Sequence, residues 1–299
     1  MKFISFKESG EEKLGVLSKD GTLAIELSSL NLSKNFYGMI DLVNNISDCD
    51  MDTIRNIILE DSVDNIVTYP LNKIRVCAPI KKPIHDIICV GVNYKDHLEE
   101  TKESFDKNSF TEPKKTVYFS KRVTEAIGPE DKIISHSDLD EELDYEVELA
   151  VIIGKRGINI PKDKAEDYIF GYTIMNDISA RALQQQHLQW YRGKSLDTFT
   201  ALGPVVVHKS EIPFPVELNV CSRVNGELRQ NSNTKLFLTD IPSIIAEISS
   251  GMTLEPGDII ATGTPSGVGM GFKPPRFMKS GDVVECEIEN IGILKNIVE

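Results

Sequence analysis

A chain of 299 residues, 40% hydrophobic and 26% charged, has the make-up of one large globular domain or of a small domain joined to a larger one. Its formal net charge of −13 argues against nucleic acid or an anionic membrane as a partner, and no stretch approaches the roughly 18 unbroken apolar residues of a spanning helix. The five cysteines, Cys49, Cys77, Cys89, Cys221 and Cys286, are scattered without a C-x-x-C pair, which disfavours a disulfide framework and a zinc–thiolate site. The acidic balance does not oppose an anionic substrate, because a bound metal inverts the field locally. Met1-Lys2-Phe3-Ile4-Ser5-Phe6 has no signal-peptide core and reads as a first strand, so a cytoplasmic protein is expected.

Residues 1–80 read as a small α+β module. Residues 2–6, 14–17 and 22–26 have strand character with polar turns between them, and residues 37–43 and 52–59 have helical spacing. Pro79 and Pro83 flank Lys81 and Lys82 and mark a linker. Residues 83–299 form a strand-rich second domain. Residues 86–92 are an apolar run of buried-strand type, followed by a short helix over 93–100; residues 144–154 and 169–176 are further such runs, and 180–188 reads as a helix. Residues 204–207 and 218–224 read as strands, the latter running into Asn225-Gly226, a type I′ hairpin signal. Residues 240–249 are a helix with Asp240 as N-cap and Pro242 in its first turn; 259–262, 283–289 and 292–297 are closing strands. Strands do not alternate regularly with long helices, which excludes a doubly wound parallel sheet. The pattern predicts a mostly β fold with some α, a mixed and mainly antiparallel β-roll or sandwich.

Glu146 and Glu148 lie two apart, and residues i and i+2 of a strand share a face. By itself the pair reads as the solvated face of an edge strand. The sequel Leu149-Ala150-Val151-Ile152-Ile153 is apolar on both faces, which marks a central strand. Two carboxylates entering such a strand lose hydration and repel each other unless a cation joins them. Asp177, at the end of the third apolar run, is either a third ligand or a helix cap. Three carboxylates with no His or Cys beside them form an all-oxygen site suited to Mg²⁺ or Mn²⁺, and admitting Ca²⁺, with positions left for water and substrate. His97 and Glu100, at i and i+3, share a helical face, as a surface ion pair also would.

In order along the chain, Val90-Gly91-Val92-Asn93-Tyr94-Lys95-Asp96-His97, Asp144-Tyr145-Glu146-Val147-Glu148-Leu149-Ala150, Gly171-Tyr172-Thr173-Ile174-Met175-Asn176-Asp177-Ile178-Ser179-Ala180-Arg181, Gly193-Lys194-Ser195 with Gly203-Pro204, and Gly257-Asp258 with Thr262-Gly263-Thr264-Pro265-Ser266-Gly267-Val268-Gly269 resemble the fumarylacetoacetate hydrolase superfamily, over about residues 83–299. The resemblance implies a β-roll assembled as a homodimer and a small anionic keto-acid substrate. It implies metal ligation by Glu146, Glu148 and Asp177, and a site lysine at Lys194, where spacing alone suggests a solvated turn. It implies substrate contact by Gln184, a residue that spacing alone leaves equally as an exposed helix position. The Gly263–Gly269 loop has glycines that let backbone N–H groups approach a carboxylate, and Thr264 is the hydroxyl chosen there. His97 and Glu100 match a lid pair that activates water. Lys121 is followed by Arg122 where the family often has Lys-Pro, and Trp190 and Arg192, as readily structural as functional, are left out of the site.

The expected function is hydrolytic cleavage of a C–C bond in a small 2-keto acid, an acylpyruvate or 2,4-diketo acid, through a metal-stabilised enolate with Lys194 as a fixed positive charge. Oxaloacetate decarboxylation and enol–keto isomerisation use the same enolate without attacking water. A non-catalytic metal or keto-acid binding protein is the reading outside enzymes.

Overall fold

The computed structural model describes residues 1–60, 66–104, 115–187 and 189–299. The N-terminal part supplies strands β1 (Lys2–Glu8), β2 (Glu11–Leu17) and β3 (Leu23–Glu26), helices α1 (Met39–Asn45) and α2 (Asp48–Glu60), and short strands β4 (Thr68–Pro70) and β5 (Arg75–Val76). Next come β6 (Ile87–Gly91), α3 (Lys95–Ser104), β7 (Val117–Lys121), the short β8 (Lys132–Ile133) and β9 (Leu143–Asp144), then the long β10 (Val147–Ile153) and β11 (Ile169–Asp177). After β12 (Ser179–Ala180) follow α4 (Arg181–Gln186), α5 (Tyr191–Lys194), β13 (Thr200–His208), β14 (Asn219–Val224), β15 (Glu227–Asn233), α6 (Ile241–Ser249), β16 (Ile259–Ala261), β17 (Val283–Ile288) and β18 (Gly292–Val298). The helix expected over 180–188 is α4, which ends at Gln186; Leu188 lies outside the described residues. No helix among the described residues is long and apolar enough to cross a membrane.

The fold is mostly β. The larger sheet runs β4-β3-β2-β1-β13-β11-β10-β16-β6-β7, with β5 also on β1, and the smaller runs β15-β14-β17-β18-β8. Among the described residues the parallel pairs are β16 with β6 and β18 with β8. Lys2 and Phe3 pair with Val207 and Val206, so the N-terminal strands continue the sheet that carries the carboxylates.

β10 has the two-sided apolar pattern of a central strand and lies between β11 and β16. Val147, Leu149, Val151 and Ile153 point into a core shared with Val220, Val284 and Leu294 of the smaller sheet. Ala150 and Ile152 point the other way, into a core shared with Leu42 of α1 and Ile54 of α2. Each fully buried Leu, Ile or Val contributes about 1.5–3 kcal/mol, which holds β10 and β11 firmly in register. The β14–β15 turn has φ of 52° at Asn225 and 80° at Gly226, as a type I′ turn requires. Asp240 caps α6 by accepting the Ser243 N–H at 2.8 Å.

Candidate active site

Register gathers the carboxylates. Val147 of β10 pairs with Asn176 of β11, and Glu146 accepts the Asp177 N–H through its carbonyl at 2.9 Å. The start of β10 therefore lies beside the end of β11. Glu146 precedes the strand, Glu148 is its second residue, and Asp177 is the last residue of β11. All three are buried, and each offers an oxygen within 4.8 Å of the other two. Asp177 is not a helix cap: α4 opens four residues later behind Ala180, with no side-chain cap.

Three cations face this cluster. Lys194 Nζ donates to Glu146 Oε2 at 2.6 Å and Asp177 Oδ2 at 2.9 Å. Lys121 Nζ donates to Asp177 Oδ1 at 2.6 Å and to the Ile178 carbonyl at 3.0 Å. Arg181 donates from Nη1 to Glu146 Oε1 at 2.7 Å and from Nε to Asp144 Oδ2 at 2.9 Å. Asp144 also accepts the backbone N–H groups of Tyr145, Gly269 and Met270. Burial opposes ionisation of Glu146, but Lys194 and Arg181 outweigh it and hold its carboxyl at about 2. Burial, followed by the charges of Asp177 and Glu146, pushes the Glu148 carboxyl well above the usual range. Burial lowers the Lys121 ammonium; Lys194 is raised because Asp177 and Glu146 overcome its burial.

Among the described residues, four buried carboxylates thus face three buried cations, none of which is hydrogen-bonded to Glu148, whose Oε2 accepts the Gly263 N–H at 2.8 Å. A divalent ion fits this donor set: it supplies the charge that ionised Glu148 needs, and all-oxygen donors suit a hard cation. Glu146, Glu148 and Asp177 are the residues that would hold it.

A small cavity opens onto the cluster and is lined by Glu146, Glu148, Arg181, Lys194, His97 and Gln184, with Thr264 and Thr101 beside them. Its other side is apolar: Val90, Val92, Phe119, Trp190 and Met270. His97 is buried, and its Nδ1 lies 2.9 Å from Glu100 Oε2. Glu100 Oε1 accepts the Gly267 N–H at 2.9 Å, which fastens α3 to the glycine-rich loop. Gln184 is buried rather than on an exposed helix face, and accepts Arg181 Nη1 at 3.0 Å. Gly263, expected to offer its N–H to a ligand carboxylate, instead turns it at φ 93° onto the protein's own Glu148. The Thr264 hydroxyl reaches the cavity but donates to the Val147 carbonyl at 3.0 Å. Arg192 stays exposed against His187.

The structure adds Lys121, Arg181, Asp144 and Trp190 to the residues singled out from the sequence. The sequence carries no local signal for Lys121 or Arg181, whose carboxylate partners Asp177 and Asp144 lie 56 and 37 residues away. Among the described residues Arg181 Nη2 is buried without a hydrogen-bond partner, and Arg181 lines the cavity, which suits it to a ligand carboxylate.

Three comparisons bear on this site. Oxaloacetate tautomerase YisK of Bacillus subtilis is 50% identical over 228 residues, 76% of this chain and 74% of that protein. A solved fumarylacetoacetate hydrolase from Exiguobacterium antarcticum is 39% identical with a TM-score of 0.82, covering 100% of this chain and 99% of its own. Maleylpyruvate hydrolase from Sphingobium, solved with manganese(II) and pyruvate, is 28% identical with a TM-score of 0.76 over 100% of this chain and 98% of its own. The model of the fumarylacetoacetate (FAA) hydrolase C-terminal domain matches residues 86–299, and with it the chain belongs to the fumarylacetoacetate hydrolase superfamily and is an enzyme of that superfamily.

Proposed function

We propose that the protein interconverts the keto and enol forms of a small 2-keto acid of the oxaloacetate class, using Mg²⁺ or Mn²⁺ held by Glu146, Glu148 and Asp177. The observation that carries this reading is one cavity in which a carboxylate-oriented base, His97, joins two buried cations, Lys194 and Arg181. The 50% identity to an oxaloacetate tautomerase supports it. A divalent ion held by these three carboxylates would supply positive charge against the negative charge of the substrate. Arg181 offers its unpartnered Nη2 to the carboxylate. His97 donates from Nδ1 to Glu100 and keeps Nε2 as a base, the division of roles a carboxylate imposes on an imidazole. Nε2 takes the proton from C3, the charge left on the 2-keto oxygen is met by Lys194, and return of the proton to that oxygen gives the enol. The reverse order ketonises the enol.

A second reading has its own support. In an acylpyruvate hydrolase the same Nε2 would take a proton from water that attacks the more distant carbonyl, and the Sphingobium relative is a maleylpyruvate hydrolase. The test follows the ultraviolet absorbance of enol-oxaloacetate with the Mn²⁺- or Mg²⁺-loaded protein. Ketonisation well above the buffer rate, abolished by chelator, is expected. No acceleration, together with cleavage of an acylpyruvate by the same preparation, would replace the first reading with the second.

A further inference from the structure

Trp190 is the one tryptophan of the chain and stands four residues before Lys194, whose N–H it accepts through its carbonyl at 3.1 Å. Residues four apart on a helical turn face the same side, and both side chains line the cavity. The indole rests on the bare backbone of Gly91: a Cβ there would come within 2.5 Å of its Cζ3 and 2.9 Å of its Cη2. On its other flank it meets Phe119 edge-on, with ring centroids 5.2 Å apart. Phe119 in turn carries the Lys194 ammonium 5.4 Å from its ring centre. The indole therefore lies against the face of two hydrogen-bonded neighbours, touching Gly91 of β6 and Phe119 of β7. Beside it Val92 is held at φ 53°, a conformation rarely adopted by a β-branched residue, so the wall turns sharply into α3. The cations that line the cavity, Arg181 and Lys194, are both bound to the carboxylate cluster, and the wall of Val92, Phe119, Trp190 and Met270 carries no charge. Such a wall limits the length of what lies against it.

We infer that Trp190 is the specificity-determining residue for the arm of the substrate beyond C3, admitting a short arm and excluding longer straight acyl chains. This rests on the 2-keto-acid reading above. Because no other tryptophan contributes, Trp190 emission reports occupancy of the cavity without turnover. The experiment titrates the Mg²⁺-loaded protein with straight-chain 2-keto acids from three to seven carbons, following this emission, with calorimetry for variants that lack the indole. Affinity is expected to fall about tenfold or more at the first length that meets the ring, the scale on which a rigid apolar wall resolves one methylene. Trp190→Leu should move that cut-off to longer chains, and Trp190→Phe should place it between the two. An identical cut-off in wild type and both variants, each taking up Mn²⁺ equally, would overturn the inference; so would wild-type affinity that does not change with length. If the wild type shows the length cut-off but ketonises no enol, the tautomerase reading fails and the role of Trp190 stands. No binding of any 2-keto acid would remove both.

Discussion

Lys121 Nζ lies 2.6 Å from Asp177 Oδ1, with both side chains inaccessible to solvent. Lys194 holds the other oxygen of the same carboxylate, so Asp177 is gripped from two sides. Removing one partner of a buried ion pair costs about 3–5 kcal/mol, because the remaining charge keeps its burial and loses its compensation. Lys121→Met should lower the unfolding free energy by about that amount in metal-free protein. A bound divalent ion replaces the missing charge, so saturating Mn²⁺ should recover much of the loss. Denaturant unfolding with and without Mn²⁺ measures both; equal losses in the two conditions would mean that Lys121 does not act through charge at Asp177.

Glu148 leads to a prediction of opposite sign. Its carboxyl is pushed up by burial and by Asp177 and Glu146, so its ionised form destabilises the metal-free fold. Glu148→Gln keeps an oxygen to accept the Gly263 N–H and removes the charge. Without metal the variant should be at least as stable as wild type near neutral pH. With Mn²⁺ the wild type should gain stability and the variant little, and keto-acid turnover should be lost. Titrating Mn²⁺ against melting temperature in both proteins decides it; parallel gains would take Glu148 out of the metal site.

His208 gives the fold a pH dependence separate from the site. Burial, then the Met1 ammonium, pushes its imidazole down to about 4, and its Nδ1 accepts the Ser210 N–H at 3.2 Å, a bond that protonation there would break. The unfolded chain, with an ordinary value of about 6.5, binds more protons across this window. Stability from His208 is therefore full above about pH 6.5 and is lost as pH falls toward 4, by about 1–3 kcal/mol for a partly exposed ring. His208→Gln supplies an amide oxygen for Ser210 and cannot titrate. The wild-type advantage over His208→Gln should shrink by that amount between pH 7 and pH 4.5, while the carboxylates common to both cancel. A difference that does not move with pH would show that His208 is protonated as easily in the fold as outside it.

Glu146 and Glu148 are legible in the sequence because charges entering a run that is apolar on both faces are a local anomaly, whereas Asp177 stays open between ligand and helix cap until β10 and β11 are paired. The turn at Asn225-Gly226 and the cap at Asp240 are legible for the same reason, since their chemistry acts within four residues. Lys121 is not, because its burial depends on Asp177, 56 residues away. Arg181 likewise takes its meaning from Asp144 and Glu146, which a loop and two strands bring to it. The union of β1 with β13 joins residues about 200 apart, and neither strand's pattern names the other. Gly263 stands out for its freedom of backbone, but the partner of its amide does not; that the partner is Glu148 rather than a ligand carboxylate is decided by the register of β10.

Glu100 and Gly271 supply the last prediction. Glu100 Oε2 holds His97 Nδ1, while its Oε1 takes the Gly267 N–H, and Asp96 of the same helix accepts the Ser266 hydroxyl at 2.7 Å. Helix α3 is thus clasped to the loop that also carries Gly271. A Cβ on Gly271 would fall 1.9 Å from Glu100 Oε1, so the clasp requires glycine at that position for space, not for backbone freedom. Gly271→Ala should push the carboxylate aside, which breaks its bonds to Gly267 and His97 together and leaves the imidazole without its orienting partner. General-base catalysis is typically worth 10² to 10⁴ in rate, and a misoriented base retains part of it, so a loss of about 10- to 100-fold in kcat is expected for enol–keto interconversion. Glu100→Gln should lose a similar amount, His97→Ala more, and the double variant Gly271→Ala with Glu100→Gln no more than Glu100→Gln alone, because both changes remove the same interaction. Oxaloacetate decarboxylation leaves its electrons beside Lys194 without needing a base, so it should fall much less in all of these variants. Mn²⁺ affinity should be unchanged throughout, since none of these residues belongs to the carboxylate cluster. Measuring both reactions and Mn²⁺ binding on the four variants is enough: additive losses in the double variant would show that Gly271 acts elsewhere than through Glu100, and equal losses in the two reactions would take His97 out of proton transfer.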